Sequence, residues 1–232
     1  MNRDYVRIKR MDEITKLVLE RLSPETNDKI YAIYRYGSQV YRSVHLNSDH
    51  DFIVVTDDDL SIFFENSIKL DENQLHIVLE TMTIDINCVT REEFQHNLDN
   101  NEIWALECVF TTPIYSRHTF NIVIDIKKLR ASISRNSDQS FNKAKKKFVS
   151  PYNVEGELMR GKKSLFHAFR VLMFGIQLAK HQRIVDFQEA NPYFIEIMDN
   201  PSEKWENYAY LKAKHNALMS AFRVVAPIHS RC

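Results

Sequence analysis

Tyr36-Gly37-Ser38-Gln39-Val40-Tyr41-Arg42-Ser43-Val44-His45-Leu46-Asn47-Ser48-Asp49-His50-Asp51-Phe52-Ile53-Val54-Val55 is the stretch on which the fold turns. The β-branched and aromatic run over residues 30–36 (IYAIYRY) predicts a strand that ends at Tyr36. Gly37-Ser38 then opens a short helix, and eleven residues beyond Ser38 the sequence Asp49-His50-Asp51 opens a second strand over 50–56. Side chains at i and i+2 of a strand share a face, so Asp49 and Asp51 point the same way and His50 points away from them. Two carboxylates this close repel unless a cation lies between them. Mg²⁺ suits the pair, being a hard ion that takes oxygen ligands and is completed by substrate phosphates. Gly37-Ser38 at a helix start supplies backbone N–H groups and a hydroxyl, which suits a triphosphate. Gly37 is also the only glycine in the first 155 residues of a chain that holds four, which marks a position where a backbone or ligand comes close.

Outward from this stretch, residues 75–80 (LHIVLE) and 83–89 (TIDINCV) predict two more strands. In the second, Asp85 stands between Ile84 and Ile86, where a neighbouring strand of the same sheet brings it opposite the Asp49/Asp51 pair. Residues 11–22 carry a helical stripe, Thr90-Arg91-Glu92-Glu93 opens a helix with a capping box, and 101–110 predicts a helix ending before Pro113. Beyond about residue 120 the strand signal fades. Long helices are predicted over 125–148 and 155–182, the second with a core stripe of Leu158, Leu165, Phe169, Leu172, Ile176 and Ala179, and a third over about 201–224. The expected fold is α+β: a small mixed sheet flanked by helices over 1–120, then an all-helical region over 121–232.

The chain has 232 residues, 44% of them hydrophobic, 27% charged and 11% aromatic, which excludes a disordered, collagenous or coiled-coil protein. No apolar run is long enough to span a membrane and the first residues are charged, so neither a signal peptide nor a span is expected. Cys88, Cys108 and Cys232 have no paired spacing, as expected of reduced thiols in a cytoplasmic protein. The formal net charge of zero hides an asymmetry: 12 Lys/Arg against 21 Asp/Glu over 1–120, and 14 against 4 over 121–183. An acidic part suited to metal ions beside a basic part suited to phosphates is one reading. Two mutually attracting domains are the other.

The Gly-Ser, Asp-x-Asp and distant Asp pattern resembles the DNA polymerase β-like nucleotidyltransferase superfamily, over roughly residues 30–90. Within it the chain is similar to the RNA-repair-associated, RlaP-like branch, more loosely and to about residue 182. The matching residues are Gly37, Ser38, Tyr41, Ser48, Asp49, Asp51, Leu106-Glu107-Cys108-Val109-Phe110 before Pro113, Lys162-Lys163 and Ala168-Phe169-Arg170. One departure is Arg42, which stands where the branch usually has glycine. The resemblance implies two-metal nucleotidyl transfer using Mg²⁺, with Mn²⁺ as an alternative. Asp49 and Asp51 would hold the ions, and Asp85 would bind at the nucleophile and take or orient its proton. Gly37 and Ser38 would hold the phosphates of an NTP such as ATP, with Lys162 and Lys163 as further phosphate contacts. Arg42, Lys145, Lys146 and Arg170 are candidate contacts to an acceptor, RNA or another polyanion.

Blander readings stand beside these. Asp57-Asp58-Asp59 reads as a solvated turn at the far end of its strand, and Lys143–Lys147 as an exposed helix face. Arg160, Lys163, His167 and Arg170 recur at helical spacing and share one stripe, which a solvated basic face also explains. Tyr31, Tyr34, Tyr36 and Tyr41 cluster near the site, and strand tyrosines pack sheets more often than they stack bases. His45, His50 and His76 lack a zinc spacing. Transfer to a protein side chain or small molecule remains an alternative to RNA, as does an antitoxin-like binding module without turnover.

Overall fold

The computed structural model describes residues 13–20, 22, 28–43, 49–57, 67–71, 74–79, 82–149 and 156–228. Helix α1 covers 13–20, and the chain continues through β1 (Ile30–Tyr36), α2 (Ser38–Tyr41), β2 (His50–Thr56), β3 (Ser67–Asp71), β4 (Gln74–Leu79) and β5 (Met82–Val89). Then come α3 (Arg91–Asp99), α4 (Ile103–Phe110), the two-residue β6 (Tyr115–Ser116), α5 (Ile126–Phe148), α6 (Glu157–His181), α7 (Asn191–Met198) and α8 (Leu211–Val225). Strands β1 and β2 lie where the sequence predicts them. The expected helix over 201–224 instead begins as a 3₁₀ turn at Trp205–Tyr208, and α8 starts only at Leu211.

The six strands form one sheet in the order β3-β4-β5-β2-β1-β6. Only β2 and β5 run parallel; every other pair is antiparallel. Alternation decides which face is dry. Phe52 and Val54 of β2, Ile84 and Ile86 of β5 and Ile77 of β4 join Ile14, Val18 and Leu22 in one buried cluster. The opposite face takes the odd-numbered residues of β2 and β5, including Asp51 and Asp85, with Tyr34 of β1 stacked 5.7 Å from Phe94 of α3. Thr90 caps α3, its Oγ1 accepting from the Glu93 N–H at 3.1 Å.

Two compact units divide the chain: 1–40, 44–96 and 111–121 in one, and 41–43, 97–110 and 122–232 in the other. The sequence reading cuts the chain once, at 120/121; here Tyr41–Ser43 and α4 group with the helices, for reasons of packing. Glu107 of α4 is 1% exposed, accepts from the Tyr41 hydroxyl, and pairs with Arg170 of α6 at 3.5 Å. The Arg170 guanidinium also lies 3.7 Å from the centre of the Tyr41 ring, a cation–π contact.

In the helical unit, Asp125 caps α5 by accepting from the Lys128 N–H at 2.9 Å. Helix α6 is buried round more of its girth than a single stripe, with Leu165, Phe166, Ala168, Phe169, Val171, Leu172, Phe174 and Leu178 all inside. Gly175 lets neighbours approach, since a Cβ there would stand 2.8 Å from Ile133 of α5 and 3.1 Å from Phe222 of α8. Among the described residues, no helix is long and apolar enough to cross a membrane.

Candidate active site

Strand pairing gathers the acidic residues. Across the sheet, Tyr36 of β1 pairs with Asp51 of β2, Asp51 with Asp85 of β5, and Asp85 with His76 of β4. Asp49, one residue before β2, is joined to β5 as well: its Oδ1 accepts from the Thr83 hydroxyl. Thr83 and Asp85, two apart in β5, share a face just as Asp49 and Asp51 do. The register therefore places all three carboxylates on one side of the central parallel pair.

Each carboxylate meets its own neighbour. A Cβ on Gly37 would lie 2.1 Å from Asp51 Oδ2 and 2.9 Å from its Cγ, and Gly37 has φ +69°. Both facts require glycine: the left-handed backbone disfavours a side chain, and the Asp51 carboxylate already occupies the space that one would fill. Asp85 Oδ1 lies 2.5 Å from His76 Nδ1, with both side chains about a third exposed or less, at 31% and 27%. An ionised carboxylate only accepts, so Nδ1 carries the hydrogen. Reading by spacing considered His76 for zinc alone. Its partner becomes visible only when β4 and β5 are paired in register.

The donor set is all oxygen, the chemistry that Mg²⁺ or Mn²⁺ requires. Among the described residues, no three His, Cys, Asp or Glu side chains converge into a preformed cage. The fit lies in the shared face and in the close seating of the Asp51 carboxylate against the Gly37 turn. The Thr83 and His76 contacts each engage one oxygen of their carboxylates. Carboxylates aligned by strand register in this way suit a divalent cation.

Other predicted residues take varied places. Ser38 begins α2 beside Gly37, half-buried. Arg42 is exposed with φ +55°, a conformation that glycine adopts without penalty. His50 is on the α1 side, in a small recess lined also by Ile14, Arg35, Gln39, Asp51 and Phe52. Of the four tyrosines, Tyr36 neighbours the acids in register, whereas Tyr34 and Tyr41 are packed inside. Tyr31 donates to Asp57 at 2.9 Å beyond the other end of β2, a bond that raises its pKa. Ser48, His45, Asp58, Asp59 and Cys232 lie outside the described residues.

The expected basic stripe of α6 runs from solvent into the core. Arg160 and Lys163 are exposed, His167 is half-buried and Arg170 is buried. Lys162 is also inside, 6% exposed, donating to the carbonyls of Met198 at 3.2 Å and Asn200 at 2.6 Å. Lys162 and Arg170 thus serve the packing of the helical unit, and burial lowers the Lys162 pKa. Lys145 and Lys146 stand exposed in the last turn of α5, where they also offset the negative helix end.

No protein-family model and no curated protein matches the chain. Among solved structures, it is similar to a nucleotidyltransferase-like protein from Exiguobacterium sibiricum at 13% identity and TM-score 0.35, covering 93% of this chain and 74% of that one. Spectinomycin adenyltransferase from Enterococcus faecialis, solved with ATP and spectinomycin, matches at 12% identity and TM-score 0.42, covering 93% and 99% of the two chains. Terminal uridylyl transferase 4 from Trypanosoma brucei, with bound UPU, matches at 17% identity and TM-score 0.32, over 70% of this chain and 53% of that one.

Proposed function

We propose that the chain is an NTP-dependent nucleotidyltransferase of the DNA polymerase β-like superfamily, similar to its RNA-repair-associated branch, acting on RNA in the cytoplasm. The observation that carries this reading is the alignment of Asp51 with Asp85 across the parallel pair, with Gly37 pressed against the Asp51 carboxylate. A glycine held in a left-handed turn lets the Asp51 carboxylate lie against the backbone that opens α2.

In this mechanism Asp49, Asp51 and Asp85 would hold Mg²⁺, whose charge would offset that of the triphosphate and the attacking oxygen. The backbone at Gly37 and the Ser38 hydroxyl would orient the phosphates, and Lys163 is the exposed member of the Lys162-Lys163 pair on α6. An acceptor oxygen attacks the α-phosphorus, the bond from that phosphorus to the bridging oxygen breaks, and pyrophosphate leaves. Asp85 takes the acceptor proton on its carboxylate. Catalysis comes from positioning and charge, without a protein nucleophile. Lys145, Lys146 and Arg42, exposed and cationic, are the residues offered to a polyanionic acceptor.

The test is transfer of label. Wild type and Asp49→Ala/Asp51→Ala are incubated with Mg²⁺ and each α-labelled NTP, alongside total RNA and soluble cell protein. Label entering RNA with the wild type alone supports the proposal. Label entering protein or a small molecule moves the acceptor, and no Asp-dependent label removes the enzymatic reading in favour of a binding module.

A further inference from the structure

We infer that His76 is a positioning residue for Asp85, fixing which carboxylate oxygen serves the reaction. The inference rests on the nucleotidyltransferase reading above and deepens it. His76 and Asp85 face each other across the antiparallel β4–β5 pair, in the same cross-strand row as Asp51. The 2.5 Å contact joins Nδ1 of the imidazole to Oδ1 of the carboxylate. A carboxylate on a strand can rotate about its terminal torsion, whose preference is broad. A donor on Oδ1 removes that freedom and leaves Oδ2 as the oxygen for a cation or for the acceptor proton.

The neighbours show why such a brace is needed here. Asp49 has the Thr83 hydroxyl on one oxygen, and Asp51 is confined by the backbone at Gly37. Asp85 is the carboxylate farthest from the Gly37 turn in the strand order, and the braces on the other two do not reach it. His76 supplies the equivalent restraint from the far side of β5. Partners that orient metal-binding carboxylates cost about 10- to 100-fold in affinity or activity when removed.

Two variants separate positioning from packing. His76→Leu removes the donor, whereas His76→Asn keeps an N–H at nearly the place of Nδ1. Two readouts are taken on the full chain: the initial rate of label transfer from NTP to total RNA as NTP is varied, and Mn²⁺ binding followed by the electron paramagnetic resonance signal of free Mn²⁺. The expected result for His76→Leu is a rate lower by about 10- to 100-fold with little change in the KM for NTP, and weaker Mn²⁺ binding, both largely restored in His76→Asn. His76→Leu equal to wild type in both readouts overturns the inference and leaves the nucleotidyltransferase reading standing. A His76→Asn variant as poor as His76→Leu makes the role one of packing, which also overturns it. If the wild type transfers no label yet binds Mn²⁺, the binding readout alone decides for or against His76. A wild type that does neither overturns both readings.

Discussion

Replacing Gly37 by alanine probes the contact on which the site is built. The new Cβ would stand 2.1 Å from Asp51 Oδ2 and 3.3 Å from the Asp51 Cβ, on a backbone at φ +69°. The left-handed conformation costs an alanine about 1–2 kcal/mol. Forcing a methyl group into occupied space costs about 1–3 kcal/mol more. Gly37→Ala is therefore expected to destabilise the protein by about 2–5 kcal/mol in urea unfolding. The second contribution depends mainly on the Asp51 carboxylate, so it should largely disappear in an Asp51→Ala background and leave chiefly the backbone cost of about 1–2 kcal/mol. The carboxylate must also retreat by about 1 Å, a displacement that costs roughly 100-fold in label transfer. A cycle of the four proteins whose free energies add to within about 0.5 kcal/mol would refute the contact, as would an alanine variant with wild-type activity.

Three further outcomes follow from the helical unit. Arg170→Met leaves the 1%-exposed Glu107 with the Tyr41 hydroxyl but without its cationic partner and should cost about 3–5 kcal/mol, of which Arg170→Met/Glu107→Gln recovers a large part, both read by urea unfolding. Burial, helped by the charges of Arg170 and Lys143, takes the His167 pKa from its ordinary 6.5 down to about 3. The unfolded chain thus binds a proton between those values that the folded chain refuses. Stability from this group is full above pH 6.5 and falls on acidification towards pH 3 with a slope approaching about 1.4 kcal/mol per pH unit, and His167→Gln should flatten that slope. Arg42→Gly relieves the φ +55° backbone and should raise the unfolding free energy by up to about 1 kcal/mol, seen as a higher urea midpoint.

The nucleus of the site was legible because it is local. Strands β1 and β2 declare themselves by β-branched and aromatic runs, the i, i+2 rule pairs Asp49 with Asp51, and a solitary glycine marks the close approach. What escaped depends on pairing. His76 is one of several polar residues in an apolar run until β4 is placed antiparallel to β5. The two residues of β6 are too few to show alternation. Strand β3 is a five-residue edge strand whose partner is fixed by the hairpin to β4. The resemblance offers Lys162 to a triphosphate and Arg170 to an acceptor, yet each is buried by partners distant in sequence: the end of α7 for Lys162, Glu107 and Tyr41 for Arg170. Charge on one helix says nothing of which carbonyl or carboxylate another helix will present.

The most direct test of the central claim is a crystal of the protein grown with Mn²⁺ and a non-hydrolysable ATP analogue, with anomalous scattering used to locate the metal. The expected result is a peak within coordination distance of Asp49 and Asp51, with the analogue's phosphates against Gly37 and Ser38 and Asp85 on the acceptor side. A nucleotide bound away from Gly37, or manganese absent from the Asp49–Asp51 pair while the nucleotide is in place, would contradict it.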